Sequence, residues 1–182
     1  IPRIDGKPKV TGEELFGADA IPAAALWVRA IRSPFHRAAF TFGDLEAWRA
    51  RHPGVIRILT SADIPGRNLF GVIPAFADRP LFATGETRVK GEAVAAMVGN
   101  IAALEAISDF PVTWREKEPL LSIEQATHPN AAQIHSNRPE NTLIRGRVAK
   151  GDADTALANC HAVVEGTFET GFVEHAYIEP EA

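Results

Sequence analysis

The chain has 182 residues, 46% of them hydrophobic and 23% charged, with a formal net charge of −4 from 19 basic and 23 acidic side chains. That length holds one full domain or two small ones around a real core, and the charge mix excludes a disordered segment. No basic block is present to neutralise phosphates, so nucleic acid is not an expected partner.

The first dozen residues are polar and rich in turn formers, with Gly6, Pro8 and Gly12 as punctuation. Residues 26–32 alternate, Leu26, Val28 and Ala30 on one face and Trp27, Arg29 and Ile31 on the other, which predicts a strand partly covered on both sides. Residues 37–42 predict a second strand with Phe40 and Phe42 on one face, after a bend at Ser33-Pro34. At Asp44 the period changes to that of a capped helix with Leu45, Trp48 and Arg49 in register, ended by Pro53-Gly54. Residues 55–60 are β-branched and read as a buried strand. Residues 61–66 form a turn, and residues 67–87 a long aromatic-rich loop with at most short strands. Residues 93–98 predict a small-residue strand, and Asn100 caps a helix to about Ser108 with Ile101, Leu104 and Ile107 as its apolar stripe. Residues 112–114 predict another strand. From Thr127 to Asn141 no apolar period survives, Asp152 then precedes a short helix, and residues 163–168 predict a strand. The whole reads as a mixed α+β domain whose strand directions periodicity leaves open.

Cys160 stands alone, which excludes an internal disulfide and a thiolate metal site and fits a reducing compartment, the cytoplasm, with the periplasm left open. The longest apolar run, residues 21–28, is broken by Pro22 and far shorter than a membrane-spanning helix, so membrane insertion is not expected. The chain lacks an initiator Met and stops at Ala182 without a closing cap, and so reads as a piece of something larger. No phosphate loop, dinucleotide fingerprint or serine nucleophile elbow occurs. The six histidines offer no i, i+4 pair for zinc. Three local groupings remain: Arg3, Asp5 and Lys7 with Thr11-Gly12; His36 after Ser33-Pro34; and Glu174-His175 with Glu179 and Glu181. The first reads as a solvated turn and the second as a hydrogen-bonded structural histidine. On a strand, Glu174 and His175 face opposite ways, which argues against a proton-transfer dyad.

In order along the chain stand Arg3-x-Asp5-x-Lys7, Thr11-Gly12, Asp19, Ser33-x-x-His36, Pro53-Gly54-Val55, Thr60-x-x-Asp63-Ile64-Pro65-Gly66 and Val89-x-Gly91-Glu92-x-Val94-Ala95. Lys150-Gly151-Asp152-x-x-x-Ala156, Val163-Val164-Glu165-Gly166 and His175-x-Tyr177-Ile178-Glu179-Pro180 follow. This ordered set resembles the N-terminal part of the molybdenum-binding subunit of the xanthine dehydrogenase/aldehyde oxidase family. The resemblance implies an a/b-hammerhead domain over residues 1–126, α+β with a mixed sheet and two or more helices. A linker over 127–149 and a truncated strand–helix–strand opening of a molybdopterin-binding domain over 150–182 would follow.

For the intact enzyme the resemblance implies hydroxylation of an aldehyde or N-heterocycle. A molybdenum-bound hydroxide would attack carbon and hydride would pass to a sulfido ligand, with electrons leaving through iron–sulfur clusters, often to FAD. The family's general base and pterin loops lie later in the subunit, so this chain is expected to bind no cofactor and to be inactive alone. Its implied partners are the remaining molybdopterin-binding domains, an iron–sulfur subunit and an FAD subunit. A second copy, paired through the strand edge from about Val163, is a further expectation. By family position Val173, Glu174 and His175 lie near the metal. Well-known members carry Gln where this chain has Val173; the metal environment is then shaped differently or the local register is shifted, and the departure counts against xanthine as substrate. The alternative from another class is a free-standing interaction module that docks a partner through Phe70, Phe76 and Phe82.

Overall fold

Ala93-Val94-Ala95-Ala96-Met97-Val98-Gly99 carries side chains small enough for a strand to lie between two others with both faces covered. The computed structural model describes residues 3–19 and 21–173. In chain order the elements are α1 (Gly6–Thr11), β1 (Trp27–Arg32), β2 (Ala38–Phe42), α2 (Leu45–Ala50), β3 (Val55–Leu59) and β4 (Glu86–Thr87). They continue with β5 (Ala93–Gly99), α3 (Ile101–Ala106), β6 (Val112–Glu116), α4 (Ile123–Thr127) and α5 (Ala153–Ala158). One sheet has the order β1-β5-β3 and the other β4-β2-β6. All the ladders among the described residues are antiparallel, so the α+β class holds, with two antiparallel sheets where the resemblance implied a mixed one. Antiparallel neighbours leave no periodicity signal that parallel ones lack, which is why the pattern could not decide.

The chain divides into two units, Leu26–Arg145 and a second made of residues 1–25 with 146–182. In the first, β5 pairs β1 with Ala30 opposite Ala96, and β3 with Ile58 opposite Met97. The two strand–helix–strand passages each change sheets: β2–α2–β3 leads from the second sheet to the first, and β5–α3–β6 leads back. Trp48, Val55, Met97, Leu104 and Ile107 form one buried cluster, with Ile31, Ile58 and Phe110 against it. Phe40, Ala83 and Val94 form another, with Phe42, Val112, Trp114 and the same Ile31 packed on it. A run of ring contacts joins them: Phe40 lies 5.5 Å from Trp114 and 5.3 Å from Phe42, Phe42 6.1 Å from Phe110, and Phe110 5.3 Å from Trp48. Edge-on and tilted geometry of this kind adds to plain burial.

The expected caps are present. Asp44 accepts the Ala47 N–H at 2.9 Å and Asn100 the Ala102 N–H at 3.0 Å. Helix α3 ends at Ala106 rather than near Ser108, because the Arg29 guanidinium takes the Leu104 and Ile107 carbonyls, the latter at 2.9 Å. A side-chain cation there satisfies carbonyls that a further turn would have used.

In the second unit the polar opening forms α1, which its composition did not announce. Asp5 accepts from Arg3 at 2.6 Å and Lys9 at 2.7 Å, and Gly12 closes the turn at φ +76°. Helix α5 starts as expected, with Asp152 accepting the Thr155 N–H at 3.0 Å. The strand expected over residues 163–168 has no ladder among the described residues, and Val164 and Phe168 are over 90% exposed. Its β-branched pattern suits a strand, but a strand exists only with a partner to take its backbone bonds.

Candidate functional site

Two of the ordered motifs meet at one buried polar joint beside the sheets. Ser33, Thr87 and Glu92 are buried polar residues, and each is fully engaged. Ser33 donates its N–H to the Glu92 carbonyl at 2.9 Å and its carbonyl accepts the Gly91 N–H at 2.9 Å. The Thr87 hydroxyl reaches Ser33 Oγ at 3.1 Å and the Ala38 carbonyl at 3.3 Å. The Glu92 carboxylate takes the Arg88 N–H at 2.6 Å. Gly91 stands at φ +84°, a conformation that favours glycine. Ser33-x-x-His36 and Val89-x-Gly91-Glu92 are thus two halves of one folding device. His36 itself is exposed.

Two further motifs are equally architectural. A Cβ on Gly54 would sit 2.3 Å from Ala103 Cβ, and one on Gly99 2.1 Å from the Gly54 carbonyl oxygen, so Pro53-Gly54-Val55 lets β3, β5 and α3 meet. Thr60 and Asp63 form a capping box, Asp63 accepting the Thr60 N–H at 2.9 Å. That backbone donor first, and the Arg57 guanidinium second, hold the Asp63 carboxyl below its ordinary range.

The long loop is closed on itself and clasped by residues 127–145. The Asn68 amide donates to the Phe82 carbonyl at 2.7 Å and accepts the Leu81 N–H at 3.0 Å, and Phe70 bridges Arg79 through the backbone. Asp78 faces Arg138 Nε at 3.5 Å and His135 Nδ1 at 3.9 Å. The Arg138 guanidinium lies 5.6 Å over the Phe76 ring, and Arg88 Nε donates to the Ile134 carbonyl at 3.1 Å. Asn141, at φ +54°, ties Ala126, Ala132 and Ile134 together through its amide. The three phenylalanines therefore divide: Phe82 is buried, Phe76 half-buried, and Phe70 exposed. Near the sheet end of the loop, Glu86 accepts from Arg37 at 2.8 Å and from Lys117. Burial works most strongly against charge on Glu86, but Lys117 and Arg37 together outweigh it and keep its carboxyl below the usual range. These polar groupings join residues far apart in sequence, and no local spacing signals them.

Of the residues placed near a metal by family position, Val173 is largely exposed, while Glu174 and His175 lie outside the described residues. Glu179 and Glu181 lie outside them as well. Among the described residues no group of three or more His, Cys, Asp or Glu side chains is placed to hold a metal ion. Valine offers neither a lone pair nor a donor. The described residues therefore offer no cluster of ligands for a molybdenum ion. His52 stacks 4.0 Å over Trp48 and its Nδ1 lies 2.8 Å from the Trp48 carbonyl, which can only accept, so Nδ1 carries the hydrogen. Its Nε2 stands 3.7 Å from Asp109. Among the described residues no helix is long and apolar enough to cross a membrane.

Two antiparallel sheets exchanged by strand–helix–strand passages, followed by a short capped helix, define a hammerhead-type scaffold with a separate following segment. Residues 11–118 match the family described as aldehyde oxidase and xanthine dehydrogenase, a/b hammerhead domain, and residues 134–182 match molybdopterin cofactor-binding domain. The chain belongs to the aldehyde oxidase and xanthine dehydrogenase family of molybdenum hydroxylases. It is 31% identical over 182 residues to the nicotinate dehydrogenase large molybdopterin subunit of Eubacterium barkeri, covering 99% of this chain and 42% of that protein. With xanthine dehydrogenase 2 of Arabidopsis thaliana it shares 28% identity over 97% of this chain and 13% of that one. The aldehyde oxidoreductase of Desulfovibrio gigas superposes with a TM-score of 0.64 at 25% identity, over 76% of this chain and 16% of that chain. Quinoline 2-oxidoreductase from Pseudomonas putida 86 gives a TM-score of 0.59 at 29% identity, over 72% and 18%. The chain thus spans less than half the length of these relatives.

Proposed function

We propose that this chain is the framework of the molybdenum-binding subunit of a hydroxylase acting on an aldehyde or an N-heterocycle. The observation that carries the reading is the order of the two family matches along one chain, hammerhead first and cofactor-binding domain second. The motifs of the first match support it, because they build joints between sheets and leave the reacting groups to other parts of the enzyme. Molybdopterin with molybdenum is the cofactor of the intact enzyme, with iron–sulfur and FAD groups on other domains or subunits. Residues 1–126 form the hammerhead domain, 127–149 a connection, and 150–182 the opening of the cofactor-binding domain. Val173, Glu174 and His175 lie near the metal in the intact enzyme, Val173 offering an apolar side chain where a hydrogen-bond donor would favour a purine.

The test compares the 182-residue chain with the same chain joined to a complete molybdopterin-binding region. The short chain is expected to purify without stoichiometric molybdenum and to leave benzaldehyde and nicotinate untouched; the joined protein is expected to carry metal and hydroxylate one of them. Metal and turnover in the short chain would overturn the reading. In the joined protein, Val173→Gln is expected to change kcat without changing metal content, and an unaltered kcat would remove Val173 from the metal's surroundings.

A second reading, a free-standing interaction module, rests on the exposure of Phe70, Val72 and Ile73 at the loop tip. Size-exclusion of the chain with an iron–sulfur subunit of the family separates the two: a stable complex supports the framework role, and a chain that elutes alone favours the module.

A further inference from the structure

A concavity of about 430 Å³ opens where the aromatic-rich loop meets β4, lined among others by Arg67, Thr84, Glu86 and Arg88. Its charge balance runs against that of the chain, which is −4 overall. The one carboxylate in its wall, Glu86, is shared by two cations, Arg37 and Lys117. Arg67 has no hydrogen bond or ion pair among the described residues. Arg88 donates its Nε to a neutral carbonyl, that of Ile134, and makes no ion pair among the described residues. Asp78 and Glu92 line a neighbouring cavity that also includes Arg88; Asp78 faces Arg138 and His135 there, and Glu92 accepts the Arg88 backbone N–H. Two guanidinium groups and one carboxylate therefore line the concavity, two further cations back that carboxylate, and Asp78 and Glu92 stand on the far side of Arg88. The Asn68 amide in its wall is consumed by the loop's own backbone, so apart from Glu86 the polar side chains left to face a ligand can all donate.

We propose that this cavity binds a small, multiply charged oxyanion, a phosphate or carboxylate compound, held by the Arg67 and Arg88 guanidinium groups with the Thr84 hydroxyl as a further donor. Guanidinium forks match paired oxygens on phosphate and carboxylate alike, and a concave wall focuses their field on the ligand. A cation is disfavoured there, because the only carboxylate already has two partners. The site is independent of molybdenum chemistry: it lies wholly in the hammerhead unit and uses none of the residues assigned to the metal's surroundings.

Titration calorimetry of the 182-residue chain at low ionic strength, with pyrophosphate and with citrate in separate arms, tests the proposal. One saturable site with a Kd below ~1 mM is expected. The tighter arm tells whether phosphoryl or carboxylate groups are preferred. Arg67→Ala is expected to weaken binding at least about tenfold with an unchanged thermal transition, since Arg67 makes no contact that folding needs. Arg51→Ala removes the same charge outside the cavity and is expected to leave binding unaltered. No saturable heat with either probe, or equal weakening by Arg51→Ala and Arg67→Ala, would overturn the site.

Discussion

Residues 93–99 and 163–168 both read as strands from the sequence, yet they end up in opposite environments. The first is a central strand with Val94, Ala95 and Met97 wholly buried between two partners. The second has no ladder among the described residues and holds Val164 and Phe168 in solvent. The difference teaches that β-propensity describes a surface waiting for neighbours, and only the neighbours make it a strand. The same contrast extends to the units. Leu26–Arg145 contains both buried clusters and the polar joint, whereas residues 146–173 contain one short helix and many exposed apolar side chains.

The sharpest way to break this contrast is truncation on each side. Trp48→Ala is expected to cost ~3–5 kcal/mol in urea unfolding, since it empties the main cluster and orphans the Asp109 carbonyl that the indole N–H holds at 3.1 Å. Phe168→Ala should stay within ~0.5 kcal/mol. A comparable loss from Phe168→Ala would mean that the segment has a partner.

Next in size is the glycine pair. Gly99→Ala forces its new methyl group against the Gly54 backbone and is expected to destabilise by ~1–3 kcal/mol. Gly171→Ala meets nothing within 4 Å and should be neutral or slightly stabilising, by no more than ~1 kcal/mol. Chemical denaturation of the two variants side by side reads the difference directly.

Smaller again is the pH dependence of the Glu86 network. Because its folded pKa is lowered, Glu86 contributes stability that is present above its ordinary value of 4.5 and fades as pH falls through the lower folded value. Glu86→Gln should therefore flatten the dependence of Tm on pH below 4.5, and an unchanged slope would remove the network from the acid response. The smallest effect belongs to Asp152→Ala, which removes the α5 cap and frays that helix. NMR shifts of Ala153–Ala158 should report the loss while the main unfolding midpoint stays in place.

Local rules were legible where the signal is local. Alternation announced β1 and β2, and single side chains announced α2, α3 and α5 through Asp44, Asn100 and Asp152. Helix α1 escaped because its stability rests on ion pairs to Asp5 and a left-handed Gly12 rather than on an apolar stripe. The ordered motifs identified the family, yet their chemistry was not readable in advance. Ser33 and Glu92 look like surface polar residues until the fold buries them against each other's backbone.

What the amino-acid order settles by itself, then, is membership, carried by motifs in order along the chain, and the positions of capped and alternating segments, which depend on contacts a few residues apart. Tertiary structure alone decided the antiparallel ladders, the exchange of strands between sheets, and the gathering of Arg67, Glu86 and Arg88 around one concavity. The reason is range: a backbone bond or an ion pair between residues fifty positions apart leaves no trace in a periodic pattern, and exists only once the intervening chain has closed the loop.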